Sequence, residues 1–254
     1  LNSEEIFTVA KDGEPRHVEP HIKESSYIRD VVFGFGDGVN TSLGIVAGVG
    51  AAEVAAGIVI LAALVGMFTG AKAMAVQNYL AVKSQREILE SEIKRELYEI
   101  ENMPDRERQE IEDIYKAKGF EGEELNRIVN KITSDKDVWL KTMLTEELNL
   151  NLSIAGSPLK SAFTMFGAFL LGGILPIIPF FFISGFAALM IAIAMSIASS
   201  FVVGAIKSRM AQKNWVKGGL EMAGLGTGIA LIGYGIGAEL VELGVIGNEV
   251  IQAG

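Results

Sequence analysis

Five long apolar stretches punctuate the chain, at residues 31–50, 57–80, 162–183, 185–206 and 219–241. A helix of about 20 residues rises roughly 30 Å, the thickness of a bilayer's hydrocarbon layer, so each stretch predicts a membrane-crossing helix. An odd number of crossings places the two chain ends on opposite sides. Residues 83–151 break the series with another pattern, in which charged residues dominate and apolar ones recur at helical spacing.

Within this block Leu89, Ile93, Leu97 and Ile100 continue the helical period beyond the second apolar stretch, predicting one long helix that leaves the membrane unbroken. Asn102, Met103 and Pro104 end it. A second helix over about 105–117 stops at Gly119, where glycine makes a left-handed cap easy. A third carries Leu125, Ile128, Val129 and Ile132. A fourth, after Ser134 and Asp135, carries Trp139, Leu140, Met143, Leu144 and Leu148. An insert of about 65 residues is marginal as an independent fold and is expected to lean on the membrane part or on a second subunit. In the third apolar stretch Pro176 and Pro179 interrupt helical hydrogen bonding, which membrane proteins tolerate where neighbours or water satisfy the backbone. The last two stretches are rich in Gly, Ala and Ser, which permit close helix contact.

The chain therefore reads as an all-α membrane protein of five transmembrane helices with a helical insert between the second and third. Its parts are an N-terminal tail (1–26), helices one and two (27–82), the insert (83–151), helices three to five (152–243) and a C-terminal tail (244–254).

Composition agrees with this pattern: half of the 254 residues are hydrophobic, 29 are glycine, and the mean hydropathy is +0.35, values typical of helical membrane proteins. The net charge of -9 belongs largely to residues 83–147. Lys11, Arg16, Lys23 and Arg29 precede the first span, a dense basic group lies in the insert, and Lys207, Arg209, Lys213 and Lys217 separate the last two spans. These segments alternate along the chain, so the N-terminus, the insert and the 207–217 loop are expected to be cytoplasmic and the C-terminus external or lumenal. Residues 1–24 lack the apolar core of a signal peptide, so insertion is expected to rest on the spans themselves. With no cysteine there is no disulfide framework, thiolate metal site or thiol nucleophile. The sequence has no phosphate-binding glycine loop, HExxH pair or nucleophile elbow, so neither an enzyme nor a prosthetic cofactor is expected. Basic residues interleaved with acids in an acidic chain argue against nucleic acid as a partner.

Asp37 lies between two glycines in a nearly uncharged run. A charge at membrane depth is costly and normally faces a bundle interior or a watery cavity. By helical rise Asp37 sits about 9 Å into the first span and Met74 about 8 Å from the exit of the second, so the two share a depth. A carboxylate and a thioether at one level suit a partly dehydrated divalent ion, with the thioether favouring Fe2+ over Mg2+ or Ca2+. Such a carboxylate can also exchange a proton for the metal. The competing readings are Met74 as core filling and Asp37 as the ion-pair partner of Lys72, which lies at similar depth. Lys72 is about 200° around the helix from Met74, so a pathway-facing Met74 turns Lys72 away, toward the inner surface or Glu221.

In the insert, Glu96 and Glu99 share one helical face and Glu107 and Glu110 another. With Glu147 and Met143 they form a candidate oxygen-rich site for Fe2+, Mn2+ or Zn2+. The plain alternative is a solvated face with internal ion pairs such as Glu92–Arg95. His17 and His21, in a tail with Pro15 and Pro20, make at best an incomplete site.

GDGVNTSLGIVAGV in the first span, AMAVQNYLAVKSQRE at the exit of the second, the Glu-rich insert and GGILPIIP in the third occur in an order and spacing that resemble the vacuolar iron transporter family of divalent-metal/proton exchangers. The likeness runs from Tyr27 to about Gly237. It implies a homodimer of five-span subunits, a pathway at the dimer interface and a cytoplasmic metal-binding domain that collects Fe2+. On this resemblance Asp37 and Met74 match pathway positions, Glu96, Glu99, Glu107, Glu110 and Glu147 match metal-binding glutamates, and Met143 matches a metal-binding methionine. Three positions depart: Gly66 stands where many members have a glutamate, Lys72 where the family is usually apolar, and Leu144 where some members have a second methionine. Glu53, in the outer link, does not align with the missing glutamate. The expected activity is export of Fe2+, with Mn2+ as a further substrate, from the cytoplasm in exchange for protons. The rival expectation is a membrane-anchored divalent-metal buffer or sensor whose membrane part does not conduct.

Overall fold

The computed structural model describes residues 25–149 and 156–244. His17, His21, Lys11, Arg16, Lys23 and most of the C-terminal tail lie outside the described residues. All regular structure among the described residues is helical.

Helix α1 spans Ser25–Gly50, and α2 runs unbroken over Ala56–Asn102, 47 residues and thus about 70 Å. No proline or glycine falls in α2 between Gly70 and Asn102, and Pro104 ends it. A proline disfavours helical geometry in the residue before it, and Met103 adopts φ -133°, ψ 46° while its N–H still closes on Glu99 O at 2.7 Å. Pro104 then opens α3 (Pro104–Ala117), where its missing N–H costs nothing. Gly119, at φ +93°, turns the chain into α4 (Gly122–Thr133). The Asp135 carboxylate accepts from Asp137 N at 3.0 Å and Val138 N at 3.3 Å and so caps α5 (Lys136–Thr142). A π-helical turn, Met143–Glu147, follows directly. Ile100, Ile111, Leu125, Val129, Trp139 and Met143 close a core that belongs to this insert alone.

The chain continues with α6 (Pro158–Gly173), α7 (Gly185–Met210) and α8 (Trp215–Glu242). Four of the described helices are long and apolar enough to cross a membrane: Tyr27–Gly50, Ala56–Asn102, Gly185–Met210 and Trp215–Glu242. The third predicted stretch is different, because α6 has 16 residues and gives way to turns and a 3-10 segment, Ile178–Phe181. Pro176 and Pro179 supply no N–H, and the backbone closes instead through shorter rings such as Ile177 N to Ile174 O (3.0 Å) and Phe180 N to Ile177 O (3.1 Å).

Helix α1 is central and touches α2, α6, α7 and α8. Its approach to α6 is at backbone distance: a Cβ on Gly38 would lie 2.1 Å from Phe169 O, and one on Gly172 2.1 Å from Phe35 O. Only glycine allows this, as in close-packed membrane helices generally. Phe169, with no exposed surface, Met67 and Ala71 fill the space between α2 and α6. The opposite side of α2 carries Leu61, Val65 and Phe68, each more than half exposed. An apolar face of this size in a lone chain belongs against lipid or another subunit.

Candidate functional site

Because α2 continues far past its apolar part, Glu96 lies about 24 Å and Glu99 about 28 Å beyond Leu80 along the helix axis. The reversal at Pro104 lays α3 back so that Glu107 meets them. One carboxylate oxygen from each of Glu96, Glu99 and Glu107 lies within 4.8 Å of the others. Glu96 and Glu107 are each 1% exposed, and each has a buried Oε2 without a hydrogen-bond partner. A buried carboxylate oxygen left without a donor is expensive, and three acids turned toward one point repel one another. A divalent cation satisfies both demands.

The titration of the group carries the same information. Burial, followed by the charges of Glu110, Glu96, Glu99 and Glu147, pushes Glu107 up to about 7. Glu96 is also raised, by burial first and then by Glu147 and Glu99, with Arg95 opposing. Arg95 is a weak neutraliser, because its guanidinium lies 2.7 Å from Glu92 and 3.6 Å from Glu96. Glu147 is raised by desolvation and then by Glu110. Glu110 acts on Glu107 electrostatically while its Oε1 accepts from Arg106 Nε at 3.3 Å.

The six predicted insert residues therefore divide. Glu96, Glu99 and Glu107 are brought together, and Glu110 and Glu147 lie within electrostatic reach of them. Met143 has no exposed surface and sits in the apolar core of the insert with Ile100 and Ile111. It opens the π-helical turn that ends at Glu147, a distortion that turns side chains out of ordinary helical register and is common at functional sites.

In the membrane part Asp37 is half-buried and, among the described residues, makes no hydrogen bond or ion pair. Met74 is half-buried against the core shared by α1, α2 and α6, so part of its role is the filling that methionine commonly supplies. Lys72 is exposed and points to the same outward side of α2 as Leu61, Val65 and Phe68. Among the described residues the alternative Asp37–Lys72 ion pair is not formed, because the helical turn that points Met74 inward points Lys72 out. At Gly66 the space beyond the missing side chain is filled: a Cβ there would lie 2.2 Å from Ile45 Cδ1.

Asp30 was not among the residues singled out by sequence. It has no exposed surface and accepts a hydrogen bond from the Ser161 hydroxyl of α6, and the Asn78 amide of α2 donates to that same hydroxyl at 2.8 Å. The Arg29 guanidinium lies 3.2 Å from the other carboxylate oxygen. In sequence Asp30 looks like the polar flank of a span, beside Arg29. The available signal was its four-residue step to Gly34 and Gly38, which marks the packed stripe of α1.

The model of the VIT family matches residues 28–238. Among curated relatives, "Vacuolar iron transporter 1" of Tulipa gesneriana is 34% identical over 212 residues, covering 83% of this chain and 85% of the relative. "Vacuolar iron transporter 1" of Eucalyptus grandis is 30% identical over 222 residues, with 87% and 89% covered. "Vacuolar iron transporter" of Toxoplasma gondii is 31% identical over 248 residues, with 93% and 82% covered.

Proposed function

The chain belongs to the vacuolar iron transporter family, and from that premise we propose that it moves Fe2+, and Mn2+ as a further substrate, out of the cytoplasm in exchange for protons. The observation that carries the reading is the buried Glu96–Glu99–Glu107 cluster, with its unpartnered oxygens, at the end of the same continuous helix that holds Met74. The cluster collects the ion at the membrane surface, with Glu110, Glu147 and Met143 completing its surroundings. Asp37 and Met74 then take it into the membrane, where Asp37 exchanges the metal for a proton. In this reading α6 and the turns after it form a fifth crossing, the N-terminus and the insert are cytoplasmic, and the C-terminus lies on the far side. Two subunits pair through exposed apolar faces, and the pathway runs between them.

A second reading, a membrane-anchored metal buffer or sensor, draws support from one feature. Ile45 fills the volume beside Gly66, which leaves the middle of the pathway without the carboxylate that many family members have there. Flux separates the two. Proteoliposomes holding the full chain are expected to take up Fe2+ when an imposed pH gradient, acidic inside, drives protons out, with Mn2+ competing. Absence of metal flux together with retained Fe2+ binding by the purified protein selects the buffer.

A further inference from the structure

Helices α1 and α6 run parallel in a strict four-residue register. Asp30 meets Ser161; a Cβ on Gly34 would lie 2.8 Å from Met165 O, one on Gly38 2.1 Å from Phe169 O, and one on Gly173 2.9 Å from Ser42 Oγ. Three of these four rungs involve glycine. Glycine rungs set how closely the two backbones approach but make no directional side-chain contact across the pair. A slide of one turn would displace Asp37 about 5 Å along the α6 surface. The lowest rung is directional. Among the described residues, Ser161 to Asp30 and Asn78 to Ser161 are the only side-chain hydrogen bonds that join one apolar helix to another. Interhelical hydrogen bonds of this kind specify which groups face each other even where each contributes modestly to stability.

The three residues also occupy telling places. Asp30 is seven residues, two turns, before Asp37 on α1, and Asn78 is one turn after Met74 on α2. Ser161, near the start of α6, lies where the chain re-enters the apolar region after the insert, and Asn78 lies where it leaves. We propose that Asp30, Ser161 and Asn78 form a register lock: positioning residues that touch no metal but hold Asp37 on α1 level with Met74 on α2, at the mouth beneath the insert. The inference rests on the transport reading above.

The test is Fe2+ flux per folded transporter in proteoliposomes, with the half-saturating concentration measured alongside, for Asp30→Ala, Asp30→Asn, Ser161→Ala and Asn78→Ala. Asparagine keeps an oxygen that accepts from Ser161 and loses only the pair with Arg29, which is exposed and of little weight. Asp30→Ala and Ser161→Ala are expected to lower maximal flux about tenfold through misplacement, with half-saturation and Fe2+ binding by the insert unchanged. Asp30→Asn is expected to retain most of the flux and the wild-type pH profile. Wild-type flux in both Asp30→Ala and Ser161→Ala overturns the lock, and so does an Asp30→Asn variant as impaired as Asp30→Ala, which would make the charge itself the requirement. Should the buried substitutions fail to fold, Asn78→Ala, at a half-buried site, is read by the same criterion. Absence of flux in the wild-type protein would instead overturn the transport reading itself.

Discussion

The chain holds two kinds of buried carboxylate. In the membrane part, Asp30 is fully satisfied: it takes a hydroxyl from α6 and lies beside a guanidinium. In the insert, Glu96 and Glu107 are as deeply buried, yet each keeps an unpartnered oxygen and both face further acids, with only Arg95, 3.6 Å from Glu96 and shared with Glu92, in opposition. On the proposed function, the difference separates a carboxylate that serves architecture from carboxylates that wait for a cation. Burial alone does not distinguish them; the partners do.

Removing each kind should have opposite effects on the metal-free protein. On the proposed function Glu107→Gln takes away a ligand, so anaerobic Fe2+ titration should find affinity lowered about a hundredfold. The same change removes like-charge repulsion, so metal-free Glu107→Gln should melt at or above the wild-type temperature at pH 8. Unchanged Fe2+ affinity would place the metal elsewhere.

Next in size is the departure at Gly66. Gly66→Glu drives its side chain into Ile45, and overpacking of this kind costs about 2 kcal/mol, visible as reduced thermal stability in detergent. Adding Ile45→Ala should recover most of that loss. A Gly66→Glu variant with no loss of stability would mean that the space at 66 is already open.

The pH response follows from Glu107. An ordinary glutamate titrates near 4.5, whereas Glu107 in the folded insert is pushed up to about 7. The folded state therefore holds an extra proton between these values, and the stability this gives the metal-free insert is full below about 4.5 and lost as pH rises through 7. Metal binding runs the other way, since the ion displaces the proton, and affinity should fall about tenfold per unit below pH 7. A flat affinity between pH 5.5 and 8 would separate Glu107 from the metal.

The smallest expected effect is on the satisfied carboxylate: Asp30→Ala should lower stability by about 1 kcal/mol, measured by thermal unfolding. An increase in stability would put Asp30 in the same class as Glu107.

Much of this was legible in sequence because periodicity reports burial directly. The continuous α2, the break at Pro104 and the cap at Gly119 each follow from a few residues whose backbone preferences are strong. The pairs Glu96/Glu99 and Glu107/Glu110 gave the faces of two helices. That Glu107 rather than Glu110 would be buried against Glu96 depended on how α3 folds back, a tertiary fact with no local signature. The helix of the third stretch ends at Gly173 because two prolines outweigh continuous hydrophobicity, so apolar length overstated helix length there. Asp30 was hidden for a related reason: Ser161, which donates to it, and Asn78, which donates to Ser161, are 131 and 48 residues away in the chain, and each alone is an ordinary polar residue of its helix.

The most direct measurement compares Fe2+ flux over a wide concentration range in proteoliposomes containing wild-type protein, Glu107→Gln or Asp37→Ala. If the insert collects the ion and the membrane residues carry it, Glu107→Gln shifts the curve to higher Fe2+ and recovers at saturation, while Asp37→Ala stays low at every concentration. An Asp37→Ala variant with the wild-type curve would contradict the account.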